Sequence, residues 1–151
     1  MSKLMMQGLL TAAIALCMSS AALAKDDKDC SLKTLRGRYV FTASGFIVPP
    51  GAPPQPKAII EVIDFDGQGG VAVPFVSLNV NGTPLHPPGA GGTYTLDESC
   101  NGTLTFISAT AFDIVTSASG KEIWLIQTNP NNVFQGSAKR TSGGDDDDND
   151  K

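Results

Sequence analysis

Two carboxylates set among apolar neighbours, Glu61 and Asp113, come nearest to a chemical site by type and spacing. Glu61 alternates with Ile59, Ile63 and Phe65. Asp113 stands between Phe112 and Ile114, on the alternation of Ala111 and Val115. Enclosed among apolar residues, a carboxyl is pushed above its usual pKa and can act as a general acid or fix the polar end of a ligand. Turned to solvent, each would be ordinary surface. Alternation does not decide between these, because the second and third strand segments are apolar on both faces. His86, the single histidine, lies in Pro84-Leu85-His86-Pro87-Pro88 with no orienting partner in view, and reads as a solvated loop residue. No Gly-x-Ser-x-Gly nominates a nucleophile. Gly89–Gly92 is followed by no helix and no Lys-Ser/Thr, so it reads as a loop rather than a phosphate cradle. Asp64 and Asp66 border a glycine-rich turn without the ligand ladder of a calcium loop. No catalytic residue, metal or cofactor is assigned.

The elements that must position these side chains are strands. Thr93–Leu96 and Thr103–Ile107 flank the polar turn Asp97–Gly102, where Asn101-Gly102 is expected to supply the positive φ of a hairpin. The Asn-Gly-Thr triplets at 81 and 101 are likewise read as turns rather than glycosylation sites. A first strand runs from Arg38 through Tyr39, Phe41 and Ala43 to Val48, with Gly45 a bend or bulge. Pro49–Pro56 is a stiff exposed loop, and a polyproline ligand is the rarer reading. Lys57–Phe65 is the second strand and Val71–Val80 the third, whose Pro74 argues for an edge, a bulge or a barrel corner. Asn81–Gly92 is a second long loop. Thr110–Ser117, Lys121–Thr128 and Val133–Arg140 complete roughly eight strands, the number at which a sheet closes on itself. The fold class is therefore all-β, a single up-and-down antiparallel barrel, with a β-sandwich as the alternative. In a meander the segment before the first strand, Asp66–Gly70, Asp97–Gly102 and Ser119-Gly120 share one end. The two long loops share the other.

Composition bounds the setting. The chain has 151 residues and a formal net charge of −4, and the acidic excess is concentrated in Asp145–Asp150. No basic stripe points to nucleic acid. Residues 1–24 read as a cleaved signal peptide: Lys3 leads, Gly8–Met18 is apolar, and Ala22-Leu23-Ala24 offers small residues for cleavage. The apolar run is too short for a membrane span of about twenty residues. The expected product is exported, periplasmic or secreted. It comprises a leader over 25–34, a barrel domain over 35–140 and a disordered acidic tail over 141–151. Of three cysteines, Cys30 and Cys100 remain after cleavage and are expected to pair, since both fall at the same end of a meander. Two free thiols are the alternative.

Gly37-Arg38-Tyr39 at the start of the first strand and Arg140 at the end of the last resemble the Gly-x-Trp and arginine of lipocalin-like (calycin) barrels. Here Tyr39 stands in the tryptophan's place. That resemblance implies that Arg140 packs on Tyr39 and closes one end. The turn spacing, with Phe-Asp-Gly-x-Gly, also looks like small exported barrels of the allene oxide cyclase-like type. The first functional expectation is a barrel holding a small apolar or amphipathic ligand, entered between the long loops. Phe41, Phe75, Phe106 and Trp124 are the candidate lining, and Glu61 and Asp113 the polar candidates. A cyclase or isomerase acting as an entropy trap is the second. A filled structural or envelope-interaction barrel is the third, with the doubly apolar second and third strands turned to a homo-oligomer interface.

Overall fold

The computed structural model describes residues 29–142. The expected signal peptide, residues 25–28 of the leader and the acidic run 145–150 lie outside the described residues. A 3-10 turn, Leu32–Thr34, leads into nine strands: β1 (Arg36–Ile47), β2 (Gln55–Asp66), β3 (Gly70–Val80), β4 (Thr83–Leu85), β5 (Gly91–Leu96), β6 (Asn101–Phe106), β7 (Ala111–Thr116), β8 (Glu122–Gln127) and β9 (Asn132–Ser142). All pairings are antiparallel: β1 pairs with β2 and β9, β2 with β3, β3 with β5, and β5 to β8 each with the next strand. The sheet thereby closes into an eight-stranded barrel, and β4 is a short addition along the far end of β3. The strand that the composition did not announce is β4, because Thr83-Pro84-Leu85 sits inside a Pro/Gly-rich loop.

Closure depends on alternation. Tyr39, Phe41 and Ala43 of β1, Phe112, Ile114 and Thr116 of β7, and Ile123 and Leu125 of β8 are all buried, while their neighbours face out. Burying one face of each strand removes apolar surface from water, and the ring leaves few unpaired edges. β3 breaks the alternation once. Val62 of β2 pairs with Phe75, but Asp64 pairs with Ala72, so Val73 and Pro74 together oppose Ile63. This is a β-bulge, and it accommodates a proline that has no N–H for the ladder. It also switches the inward set from Val71 and Val73 to Val76 and Leu78, which turns Phe75 outward. The double apolarity of β3 is therefore a change of parity along one strand. Small residues sit where strands approach most closely: a Cβ on Gly136 would meet the Thr42 carbonyl and the Ala43 side chain.

The hairpin turn differs in detail from expectation. Asn101 and Gly102 already belong to β6, and the positive φ (65°) falls on Cys100. Asp97 holds that turn. Its Oδ1 accepts from the Asn101 N–H at 2.9 Å, and its carbonyl accepts from the Cys100 N–H at 3.0 Å. Asn81-Gly82, by contrast, does take positive φ at both positions (50° and 86°).

One end of the barrel is closed by its own chain. Cys30 is joined to Cys100, and the Cys30 N–H donates to the Glu98 carbonyl at 3.3 Å. Leu35 is wholly buried beneath the 3-10 turn. The Tyr94 hydroxyl reaches the carbonyls of Leu32 (2.7 Å) and Leu35 (3.0 Å). Arg140 and Tyr39 meet as the resemblance implied: the guanidinium carbon lies 5.4 Å from the ring centre, and Nε donates to the tyrosine hydroxyl at 2.9 Å. That hydroxyl donates in turn to the Gly120 carbonyl at 2.6 Å, and Arg140 Nη2 donates to the Thr34 carbonyl at 2.7 Å. A tryptophan in place of Tyr39 has no oxygen to accept from the arginine. Tyr39, Phe65 and Tyr94 fill this half with edge-to-face contacts, both pairs having centroids 5.0 Å apart.

Candidate functional site: a cavity in the mouth half of the barrel

The other half of the barrel is not filled. A partly open cavity of about 230 Å³ lies beneath the long-loop end, walled by Phe41, Phe106, Phe112 and Phe134, with Val76 and Leu78 from beyond the bulge. Pro87, Pro88 and Ala90 of the second long loop and Ser108 of the β6–β7 turn border its mouth. The Val73 N–H donates to the Ala90 carbonyl at 2.7 Å, which ties that loop to β3 where β3 leaves β5.

The polar equipment comes from one strand. Lys57, Ile59 and Glu61 alternate inward along β2 and all line the cavity. Lys57 is nearer the mouth, and its ammonium sits 4.2 Å from the centre of the Phe134 ring, a cation–π contact. Glu61 lies deeper and only 9% of it is exposed; its Oε2 has no hydrogen-bond partner. Burial pushes its carboxyl up to about 7, against the opposing pull of the Lys57 charge. Burial likewise lowers the Lys57 ammonium, and Glu61 partly offsets this. A second buried oxygen without a partner, Gln127 Oε1, ends the inward set of β8; the amide nitrogen of the same side chain donates to Asn129 at 3.2 Å. Orphaned polar atoms at such depth are costly, and they concentrate where a ligand or water supplies the missing bond.

Of the six residues singled out from sequence, three share this cavity: Phe41, Glu61 and Phe106. The other three face away from it, and their inward facing is corrected. Phe75 is 48% exposed because the bulge reverses its parity, and Trp124 is 50% exposed because Ile123 and Leu125 take the inward positions of β8. Asp113 is exposed on the outer wall, with Phe112 and Ile114 inside. Glu61 and Asp113 are thus on opposite sides of the sheet and form no carboxylate pair. Lys57, Phe112 and Phe134 were not singled out. The signal for Lys57 was its spacing of four from Glu61, which keeps both on one face of a strand.

Trp124, Val115 and Ile126 instead border an open groove of about 750 Å³ on the outer wall, floored by Gly136 and Ser137. It is larger than the interior cavity. Even so, it is open to solvent and Asp113 is its one titratable group, whereas the interior cavity encloses an orphaned carboxyl. The interior is therefore the better candidate site. The remaining sequence features are structural or solvated. Asp64 is paired with Arg38 across β1 and β2 at 2.8 Å, which holds its carboxyl below the usual range. Asp66 Oδ1 accepts from the N–H groups of Gln68 (2.7 Å) and Gly70 (2.9 Å) in the turn between β2 and β3. His86 is exposed in its loop. Among the described residues no three His, Cys, Asp or Glu side chains are grouped to hold a metal. No described helix is long and apolar enough to cross a membrane.

No family model matches the chain, and no curated protein or solved structure matches it either. The functional reading rests on the geometry.

Proposed function

We propose that this chain is an exported lipocalin-like barrel that binds a small amphipathic molecule in the mouth half of its interior. The observation that carries the reading is the unpartnered Oε2 of Glu61, buried in an otherwise apolar cavity with the Lys57 ammonium on the same strand. Near neutral pH the Glu61 carboxyl is partly protonated, so it can donate to a ligand carbonyl or accept from a hydroxyl or amine. Lys57 offers a charge to an anionic group nearer the mouth. The cavity is smaller than the roughly 300–1,000 Å³ that drug-sized ligands occupy. The ligand is accordingly a small molecule, or one end of a longer chain that emerges between the loops. The Cys30–Cys100 disulfide and the apolar run of the expected signal peptide support export to an oxidising compartment.

The same carboxyl favours a second reading, a cyclase or isomerase. A group titrating near 7 suits general acid or base work, and an apolar cup holds a flexible substrate folded. A filled structural barrel receives support from the closed half alone.

Native purification, solvent extraction and mass spectrometry test for a retained compound. Calorimetric titration of short-chain acids, alcohols and amides into wild type and Glu61→Gln then tests the anchor. Binding weakened about tenfold or more by the substitution is expected, the scale of one hydrogen bond to an ionisable group. Folded protein that retains nothing and gives flat titrations across the series would sink the reading.

A further inference from the structure

Ionisable side chains are distributed very unevenly between the two ends of the barrel. Among the described residues, the mouth half holds three Lys, Arg, Asp or Glu: Lys57 and Glu61, both turned into the cavity, and Asp113 on the wall. The others lie on the closed side, in the turns and strand ends around Arg38, Asp66, Asp97, Lys121 and Arg140. The rim itself carries no Lys, Arg, Asp or Glu on its outer surface, and apolar side chains protrude from it. Ile107, at the tip of the β6–β7 turn, is 81% exposed, and Val133, beside the β8–β9 turn, is 65% exposed. Phe46, the cross-strand partner of Val133, and Leu85 of β4 are about half exposed. Prolines fill the two loops between them, Pro49–Pro56 and Pro84–Pro88.

We infer that this rim docks onto a neutral lipid bilayer surface, with Ile107, Val133, Leu85 and Phe46 entering the interface and the mouth of the barrel facing the lipid. Exposed apolar side chains also lie on the outer wall, Trp124 and Ile126 among them. Those of the rim include the two most exposed, Ile107 and Val133, and stand at the end whose outer surface is free of charged side chains, which marks it as an interaction surface. Charges at a membrane interior are expensive, and this rim carries no Lys, Arg, Asp or Glu on its outer surface. The inserted depth is that of an interfacial anchor, roughly 5–10 Å, and no part of the chain need span the membrane. A second copy of the chain fits the rim less well. Ile107 and Val133 flank two turns joined by the bond from Asn129 Nδ2 to the Ala109 carbonyl at 2.9 Å. The exposed polar Thr128 and Asn131 beside them would be desolvated in a close-packed protein interface but not among lipid headgroups. Mouth-to-mouth pairing would also seal the cavity. Fluid acyl chains fill around protruding tips without needing a matched surface. Docking stands on the rim alone and would hold even if the interior bound nothing.

The test is flotation of the exported chain, freed of its signal peptide, with phosphatidylcholine vesicles at 0.15 M and 1 M NaCl. Wild type is expected to float with the vesicles equally at both salts, because no ion pairing is involved. Ile107→Asp combined with Val133→Asp should lower the partition by about tenfold or more, as a charge placed in the interface does. Leu85→Asp, on a different element, should lower it too, and unchanged melting of each variant shows that the fold is kept. Wild type that stays with the unbound protein overturns the inference, as does binding that high salt removes or that both variants retain. Sedimentation as a dimer that Ile107→Asp/Val133→Asp dissociates, with no vesicle binding, assigns the rim to a second copy instead. Failure of flotation alongside a positive calorimetric titration leaves the interior reading intact.

Discussion

Replacing Glu61 with glutamine removes a titrating group from the barrel interior, and the consequence for stability can be worked out. The folded-state carboxyl titrates at about 7 against a reference of 4.5. A carboxyl whose folded value is raised binds its proton more tightly in the native state. Its contribution to stability is therefore fully present below about 4.5 and is lost as pH rises through about 7. At 1.36 kcal/mol per unit, tempered by water reaching the cavity through the mouth, the loss is roughly 2–3 kcal/mol. Lys57 is the one charged group facing Glu61 inside the cavity; burial lowers its ammonium and the Glu61 charge opposes that. Asp64 and Asp66, held low by Arg38 and by turn N–H groups, titrate below it. Urea unfolding at pH 5, 6, 7 and 8, with the disulfide intact, should show wild type losing stability across the series and Glu61→Gln losing less by that amount. Parallel curves for the two proteins would mean that Glu61 titrates normally, and the argument from its burial would fail.

Other changes have equally definite outcomes. Tyr39→Phe strips the Gly120 carbonyl and Arg140 Nε of a shared partner, and should cost about 1–3 kcal/mol in chemical denaturation. Paired Cys30→Ser and Cys100→Ser opens a loop with a sequence separation of 70, which should lower stability by about 4 kcal/mol in the same assay. Gly136→Ala places a methyl against the Thr42 carbonyl and should lower the melting temperature by several degrees, more than an alanine at the neighbouring exposed Gln135. Trp124 should be freely quenched by acrylamide, and ligands that bind the interior should leave the quenching unchanged. Protection of its fluorescence on binding would place the ligand in the outer groove.

The barrel was legible from turn chemistry and strand spacing, because Asp-Gly, Asn-Gly and Ser-Gly turns punctuate segments of matched alternation. The disulfide was legible too: a meander returns to the same end on every second connection, and Cys30 and Cys100 both fall there. Facing was harder to read. β7 and β8 each present two plausible apolar sets, and the sheet chose Phe112/Ile114 over Val115 and Ile123/Leu125 over Trp124 and Ile126. What decides such a choice is how bulk fits within a closed ring of fixed radius, a tertiary quantity that alternation does not encode. β3 concealed its facing behind the bulge at Val73-Pro74. The proline signalled an irregularity but not that Phe75 would be the residue turned out. Lys57 escaped notice because a lysine at a strand start is usually solvent-facing. Its inward position depends on the Phe134 ring, 77 positions further along the chain and two strands away across β1.

The two halves of the barrel differ in how fully their space is filled and their polar groups are partnered. The closed half holds the disulfide, the 3-10 turn, the Arg140–Tyr39–Gly120 hydrogen bonds and the Tyr39–Phe65–Tyr94 stack, and each polar atom in that chain of bonds has a partner. The mouth half holds a void, two buried oxygens without partners and an ammonium resting on a ring. The void and the orphaned oxygens destabilise, and a marginally stable domain keeps them only where stability elsewhere offsets the cost. Had the interior evolved merely to be plugged, a leucine at position 61 would fill the space and remove the orphaned oxygen at no cost to the ladder. The presence there of a carboxyl, four residues from an inward lysine, is what distinguishes this interior from a simple core. A bound molecule that fills the void and reaches Glu61 would relieve both penalties together, which is why occupancy and stability should rise in step when ligand is added.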